Sequence, residues 1–480
     1  MNAVAMAIIP IYLSLIVLII VYTGRRVKSF KDYAMAGHQL PWYVVSGTIL
    51  ATFIGGGTML GFVGSYYSYG LQWFWMCLGT SLSHLFMAYY LAQRIRRFNL
   101  YTIADIFYKR YGESTKRIAG VINAIVGVAV GFAMLAGFAA ILNGYVGIPT
   151  DISMLIGVIL FAATATMGGL VGVAYTDAIQ VILILAGAIV VGITSFVKAG
   201  GVAGISTLPP NLLNPGSGNI PWFSYIATII ASVGVGLADQ ATIFQRVNAT
   251  QTPRAARKAT IVFAWSCFGV FLLMGVMGLS ARVIAGAGIE ENNVVAELLK
   301  HINPVFAALY AAAVIAAVLT TANSMYLSAS MTFSRDLLQA VKPEISDKTM
   351  LRVSKIFVWI MAIISFFVIR FQPSIMRWIM LGYTCVSCMI VPLYGGLLSK
   401  KATPASGFWS LVLSIASVIL WELTGKPLGI DSMYVALAVG ILAFAVGFGS
   451  KTKSSKEQLD MVELFKARQE KDETDAAMIR

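Results

Sequence analysis

Ala51-Thr52-Phe53-Ile54-Gly55-Gly56-Gly57-Thr58 lies inside an apolar run that extends from Trp42 to Tyr67. Three consecutive glycines weaken a helix there, since each costs about 1 kcal/mol against alanine in a helix interior. In hydrocarbon, every carbonyl that such a break releases needs another partner or a polar cavity. A bound cation is one such partner. Close packing against a neighbouring helix, for which membrane proteins often use small residues, is the other reading of the same glycines.

Composition places that run in a membrane. Of 480 residues, 58% are hydrophobic and only 12% charged, and the mean hydropathy is +0.80, which excludes a soluble globular domain of ordinary make-up. Cys77, Cys267, Cys385 and Cys388 all fall within apolar runs, so neither a disulfide framework nor a metal cluster is indicated. A net charge of +14 raises the question of nucleic acid, which depends on where the basic residues sit.

About thirteen apolar runs of roughly 18 to 30 residues are long enough to span a bilayer. They cover 5–22, 41–67, 70–93, 118–146, 151–169, 175–197, 221–245, 259–285, 304–333, 352–370, 374–398, 405–422 and 431–449. The first has no basic residue before it and Arg25-Arg26 after it, the pattern of an uncleaved anchor with its N-terminus outside and, given an odd number of spans, the C-terminus in the cytoplasm. In that topology only Lys198, Arg282, Lys300, Arg370, Arg377 and Lys426 of the 35 Lys and Arg fall on the outer side. The basic excess is a positive-inside bias, and no nucleic-acid partner is expected.

Carboxylates in hydrocarbon are expensive and mark function. Apart from the span-opening residues Asp151 and Asp431, Asp177 and Asp239 alone fall inside the expected spans, with Glu422 at an outer edge. Asp177, in Tyr175-Thr176-Asp177 with Gln180, lies near an expected helix start, where capping is the alternative reading. Asp239 sits in Gly234-Val235-Gly236-Leu237-Ala238-Asp239-Gln240, a second glycine-interrupted segment. Two interrupted segments, five spans apart, are a pointer to an inverted-repeat transporter with a midplane site. A third segment, Ala317-x-x-Thr320-Thr321-Ala322-Asn323-Ser324, puts positions 317, 320 and 321 on one helix face. Oxygen ligands suit a hard cation, and carbonyls replace its hydration shell. Threonines in membrane helices also bond back to their own backbone.

Together these segments, with Gln245-Arg246 after Asp239-Gln240, resemble the sodium:solute symporters, whose members include sugar, proline, sialic acid, pantothenate and choline transporters. The resemblance covers nearly the whole chain. It implies an all-α polytopic membrane protein with the leucine-transporter-type fold, a 5+5 inverted repeat of about 13 transmembrane helices. The divisions it implies are a leading helix and loop (1–40), a first repeat (41–200), a second (201–402), two additional helices (403–450) and a cytoplasmic tail (451–480).

The same resemblance assigns roles. The main sodium site would use the carbonyls of Ala51, Ile54 and Ala317 and the hydroxyls of Thr320 and Thr321. A second sodium, held in some members, would use Asp177, Thr320, Asn323 and Ser324. Asn323 departs from the serine of that pattern, though an amide carbonyl also coordinates. Polar side chains that grip hydroxyls in sugar-transporting relatives align with Phe53, Thr58 and Cys77, which argues against a sugar. The choline transporter has tryptophan at Phe53, and aromatic faces attract quaternary ammonium groups. Tyr66, Tyr67, Tyr69, Trp73 and Trp75 are candidates for completing such a cage or for anchoring at the membrane interface. Phe53 and Thr58, with Asp239 or Gln240 opposite, are the expected solute contacts.

The expected function is therefore sodium-coupled secondary active symport of a small organic solute across the cell membrane, an amino acid, carboxylate or quaternary amine before a sugar. A proton-coupled or uncoupled transporter of the same fold is the alternative, and a solute sensor a more distant one. The tail reads as a short amphipathic helix opened by Ser454-x-x-Glu457 and striped with Leu459, Val462 and Phe465. It is too short for a signalling domain. No metal-ligand spacing, nucleophile–base–acid set or phosphate loop points to an enzyme.

Overall fold

A computed structural model describes residues 3–24, 30, 33, 39–100, 102–215 and 240–467. The apolar runs become helices because a helix satisfies its backbone groups within one segment, as hydrocarbon demands. In chain order the helices are α1 (Ala3–Gly24), α2 (Trp42–Phe53), α3 (Val63–Tyr69), α4 (Phe74–Phe86), α5 (Ala92–Arg97), α6 (Ala104–Tyr111), α7 (Glu113–Ile141), α8 (Thr150–Lys198), α9 (Gln240–Asn248), α10 (Pro253–Ala285), α11 (Val294–Lys300), α12 (Pro304–Met331), α13 (Asp347–Phe371), α14 (Ile375–Leu398), α15 (Pro404–Leu423), α16 (Ser432–Val446) and α17 (Lys456–Lys466). Among the described residues, shorter helical segments, turns and loops lie between them and no strand forms.

The glycine triplet breaks its helix as expected. α2 ends at Phe53, Ile54 leaves helical geometry (φ −81°, ψ 66°), and the chain restarts as a π turn over Gly57–Phe62. The stretch from Gly57 to Arg97 is bent 53° away from α2. α8 has 49 residues and as one rod would measure ~74 Å, more than twice a hydrocarbon core of about 30 Å. Gly169 resolves this. At φ 53°, ψ −167° it interrupts the helix, and a Cβ there would stand 3.0 Å from the Cα of Tyr33, so the expected spans 151–169 and 175–197 are the two arms of α8. Among the described residues 8 helices are long and apolar enough to cross a membrane, or 9 counting the bent pair, with α8 counted once; the apolar part of α1, Ala7–Tyr22, is shorter. Most of the expected span 221–245 lies outside the described residues.

The chain divides into two compact units, residues 1–102 with 120–386, and residues 103–119 with 387–480. In the first, α12 runs against α8, with α1 and α2 also packed on both. Every residue of α12 from Tyr310 to Met331 is buried, so this helix is packed on all sides. Gly187 lets the backbones of α8 and α12 approach, a Cβ there falling 3.0 Å from the Ala313 methyl.

In the second unit α15 pairs with α16, and Ser410 and Ser414 donate to the carbonyls of Gly440 (2.9 Å) and Ala436 (3.0 Å). Arg110 of α6 is fully buried. Its guanidinium donates to the carbonyls of Gly396, Ser399 and Ala402 at 2.8, 3.0 and 2.7 Å, satisfying groups at the C-terminal end of α14 and in the turn that follows it. The tail helix α17 packs on α6, burying Met461, Val462 and Phe465. Its capping box is Ser455 with Gln458, one residue later than the sequence suggested, because the Ser454 hydroxyl is taken by Arg110 and the Ala402 carbonyl.

Candidate functional site

Everything at the site follows from the end of α2. The last carbonyls of a helix have no partner within it, and they carry the negative end of its dipole. Two of them, on Ala51 and Thr52, face α12. The Thr320 hydroxyl donates to the Ala51 carbonyl at 2.7 Å, and the Thr321 hydroxyl donates to the Thr52 carbonyl at 2.6 Å. Each threonine also lies 2.9 Å from the Ala317 carbonyl on its own helix. The back-bonding reading of these threonines therefore describes half of their contacts, and the other half cross to the break.

Ala51, Ala317, Thr320 and Thr321 are thus brought together, all at most 4% exposed. Ile54 caps α2 three residues on, its N–H returning to the Leu50 carbonyl at 2.9 Å. The donor set fits a hard monovalent cation. If each hydroxyl turns its hydrogen away, its lone pairs join the carbonyls in facing an ion. Gly55 holds this register, because a Cβ there would lie 2.3 Å from Thr321 Oγ1. Gly55→Ala is accordingly expected to weaken sodium binding at least about tenfold, the effect of 1.4 kcal/mol, while deleting no ligand. Sodium titration of the purified variant checks this, and unchanged affinity would separate Thr321 from the ion.

A second network begins at the other side of Thr52. Asp177 is fully buried in α8, about two turns past the Gly169 break and too deep to cap the helix. Its Oδ2 accepts from the Thr48 hydroxyl at 2.6 Å and lies 3.4 Å from both Thr52 Oγ1 and Arg246 Nη2. Its Oδ1 has no hydrogen-bond partner among the described residues. Arg246 also donates to Thr48 Oγ1 at 2.8 Å and to the Ser324 hydroxyl. Of the set Asp177, Thr320, Asn323 and Ser324, the Ser324 hydroxyl donates to the Thr320 carbonyl at 2.7 Å. Asn323 turns its Oδ1 to the Thr164 hydroxyl at 2.7 Å, Thr320 faces Ala51, and Ser324 reaches Asp177 through Arg246 and Thr52, 3.0 Å from the latter.

Arg246 is the principal residue that loop counting misplaced. Placed just beyond the expected span 221–245 and on the cytoplasmic side, it instead sits inside the nine-residue helix α9 at 0% exposure, because a buried carboxylate draws in a counter-charge. Thr48 and Thr52 were also missed. Their spacing of four on α2 puts both hydroxyls on one helix face, a signal available beside the lone acid.

Next to these networks lies a cavity lined by Thr52, Phe53 and Thr58 from the break, Met134 from α7, Ile243 from α9, Thr321 and Met325 from α12 and Tyr383 from α14, among others. Phe53 and Thr58, both expected solute contacts, therefore share a wall with Thr321. The Thr58 hydroxyl donates to the Phe53 carbonyl at 3.2 Å, stitching the break. Gln240 is the first residue of α9, and Asp239 lies outside the described residues.

The tyrosines and tryptophans proposed for a cage do not meet Phe53. Tyr67 donates to the Gly286 carbonyl at 2.7 Å, Trp75 to that of Pro215 at 2.9 Å, Tyr69 and Trp73 stack on each other, and Tyr66 packs against Gly275 and Gly278. The neighbours of Phe53 are instead Phe263, Phe271 and His84.

Comparison with known proteins agrees with this architecture. The chain is 25% identical over 466 residues to the sodium/pantothenate symporter of Escherichia coli (strain K12), spanning 92% of this chain and 95% of that one. It is 29% identical over 387 residues to the high affinity choline transporter 1 of Homo sapiens, spanning 74% and 65%. Among solved structures, a Na+-coupled sialic acid symporter in a substrate-bound outward-open state superposes with a TM-score of 0.81 at 18% identity, covering 94% of this chain and 99% of that one. MhsT in complex with L-phenylalanine has a TM-score of 0.54 at 15% identity, over 84% and 98%, and both likenesses express the leucine-transporter-type fold. The sodium:solute symporter family model matches residues 33–413, and the chain belongs to that family.

Proposed function

We propose that this membrane-embedded, sodium-coupled symporter takes up a small, partly apolar organic solute by alternating access, with one bundle rocking about the break after α2. The observation that carries the reading is the meeting of Thr320 and Thr321 with the free carbonyls of α2. A sodium ion held by Ala51, Ile54, Ala317, Thr320 and Thr321 would join α2 to α12, so its arrival and departure bias which arrangement of the two is stable. Solute in the adjoining cavity touches the same break through Phe53 and Thr58, which gives the coupling a physical route. Asp239 or Gln240 completes the solute site from the second interrupted segment. Residues 41–200 and 201–402 are the two repeats in this reading, 1–40 the leading helix and its loop, 403–450 the two additional helices and 451–480 the tail, with the N-terminus outside the cell and the C-terminus in the cytoplasm.

A single sodium is favoured because Arg246 already gives Asp177 its counter-charge. The Oδ1 of Asp177, without a hydrogen-bond partner among the described residues, supports a second reading, in which a further cation joins Asp177 and Ser324. The aromatic and aliphatic wall favours an amino acid, a carboxylate or a quaternary amine over a sugar, and the relatives named above differ in their own solutes.

A thermal-shift screen of small solutes, with sodium or with potassium, tests the proposal, since a ligand of the folded state raises its stability. At least one solute is expected to stabilise the protein more in sodium. With that solute, Phe53→Ala and Thr58→Ala are expected to lower affinity about tenfold or more, equivalent to 1.4 kcal/mol, and to leave sodium binding measurable. Solute affinity that survives Phe53→Ala, Thr58→Ala and Gln240→Ala alike would mean that the solute binds elsewhere.

A further inference from the structure

His84 of α4 is fully buried, and neither ring nitrogen has a hydrogen-bond partner among the described residues. A buried polar side chain is ordinarily paired, and one that is not calls for a reason. Its surroundings are aromatic. The Phe53 ring meets the imidazole edge-on at 4.4 Å between centroids, and Phe263 lies at 4.7 Å. Phe53 is half-buried and lines the cavity, so a single aromatic ring separates the imidazole from the space beside Thr58 and Thr321.

We propose that His84 is part of the solute site, screened by Phe53 and uncovered when that ring turns, and that its N–H donates to a carboxylate of the solute. The inference rests on the cavity being the solute site. Both the turn and the ligand class follow from chemistry. A neutral imidazole offers one N–H donor and one acceptor nitrogen, and no hydrogen bond among the described residues uses either. The polar groups lining the cavity are hydroxyls, and no Asp or Glu is among its described lining residues. A carboxylate accepts the imidazole N–H while an apolar body fills the space between Phe53, Met134 and Ile243. A quaternary ammonium group has no acceptor to offer and would leave the imidazole as it stands.

The test uses diethylpyrocarbonate, which acylates unprotonated imidazole nitrogens, on the full-length protein in detergent with sodium, read residue by residue by mass spectrometry. His84 is expected to react measurably beside the half-exposed His301 and to react faster in Phe53→Ala. Saturating pantothenate, L-proline or a monocarboxylate of the acetate-to-hexanoate series is expected to slow His84 about tenfold, as mass action gives when ligand is near nine times its Kd. Choline and glucose are expected to have no effect on it. An inert His84 while His301 is consumed, protection by choline alone, or no protection by any carboxylate overturns the inference. The site itself is judged separately by Thr58→Ala, which leaves His84 in place. If Thr58→Ala lowers solute affinity while His84 stays inert, the site stands and only the role of His84 falls.

Discussion

Alanine at Thr320 or at Thr321 is expected to raise the sodium concentration for half-occupancy by about ten- to hundredfold. Hydrogen-bond-type contacts to a charged partner are worth about 1.5–3 kcal/mol, and 1.4 kcal/mol is a factor of ten. The cost to folding is smaller. Each hydroxyl gives up a bond to a neutral carbonyl, worth about 1 kcal/mol, so the amount of folded protein in the membrane is expected to stay near wild type. Serine at either position restores the oxygen and is expected to recover most of the affinity. Equilibrium binding of radioactive sodium to purified variants gives the answer, and wild-type affinity in both alanine variants would remove these threonines from the site.

Neutralising one member of the Asp177–Arg246 pair is expected to be more damaging than neutralising both. Both side chains are at or near 0% exposure, and removing one partner strands a buried charge at a cost of about 3–5 kcal/mol. Asp177→Asn and Arg246→Gln should each lower the yield of folded protein, and Asp177→Asn/Arg246→Gln should recover much of it. If capping were the role of Asp177, asparagine would serve nearly as well, and that variant would fold normally. Sodium binding is expected to change in Asp177→Asn as well, because Thr52 joins the two networks. Its carbonyl accepts from Thr321, while its hydroxyl lies near Asp177 and Ser324. Single variants that fold and bind sodium as wild type would show that the pair is neither structural nor coupled to the ion.

What the sequence made legible was the class of structure and the segments that matter. Hydrocarbon allows few backbone solutions, so apolar run lengths located the helices, and Gly55-Gly56-Gly57 announced the end of α2. Spacing put Ala317, Thr320 and Thr321 on one face. Spacing could not say which carbonyls of α2 they meet, because that depends on the rotation of one helix against another. Nor could it bring Arg246 inward. A charged residue beside an apolar run reads as the start of a loop, and only the position of Asp177 in space turns it into a buried partner. Asn323 shows the same limit, since nothing in its sequence neighbourhood points to the Thr164 hydroxyl that its Oδ1 accepts from. His84 looked isolated in sequence. Its meaning lies in the ring of Phe53, 31 positions earlier.

The most direct measurement is uptake into proteoliposomes of the solute that gives the largest sodium-dependent thermal shift, with equal pH on both sides and the membrane potential clamped at zero. An inward sodium gradient is expected to drive solute above its external concentration, and replacing external sodium by potassium is expected to abolish that accumulation. Accumulation that persists with potassium in place of sodium, equilibration without accumulation, or binding with no uptake at all would contradict sodium-coupled symport through the break after α2.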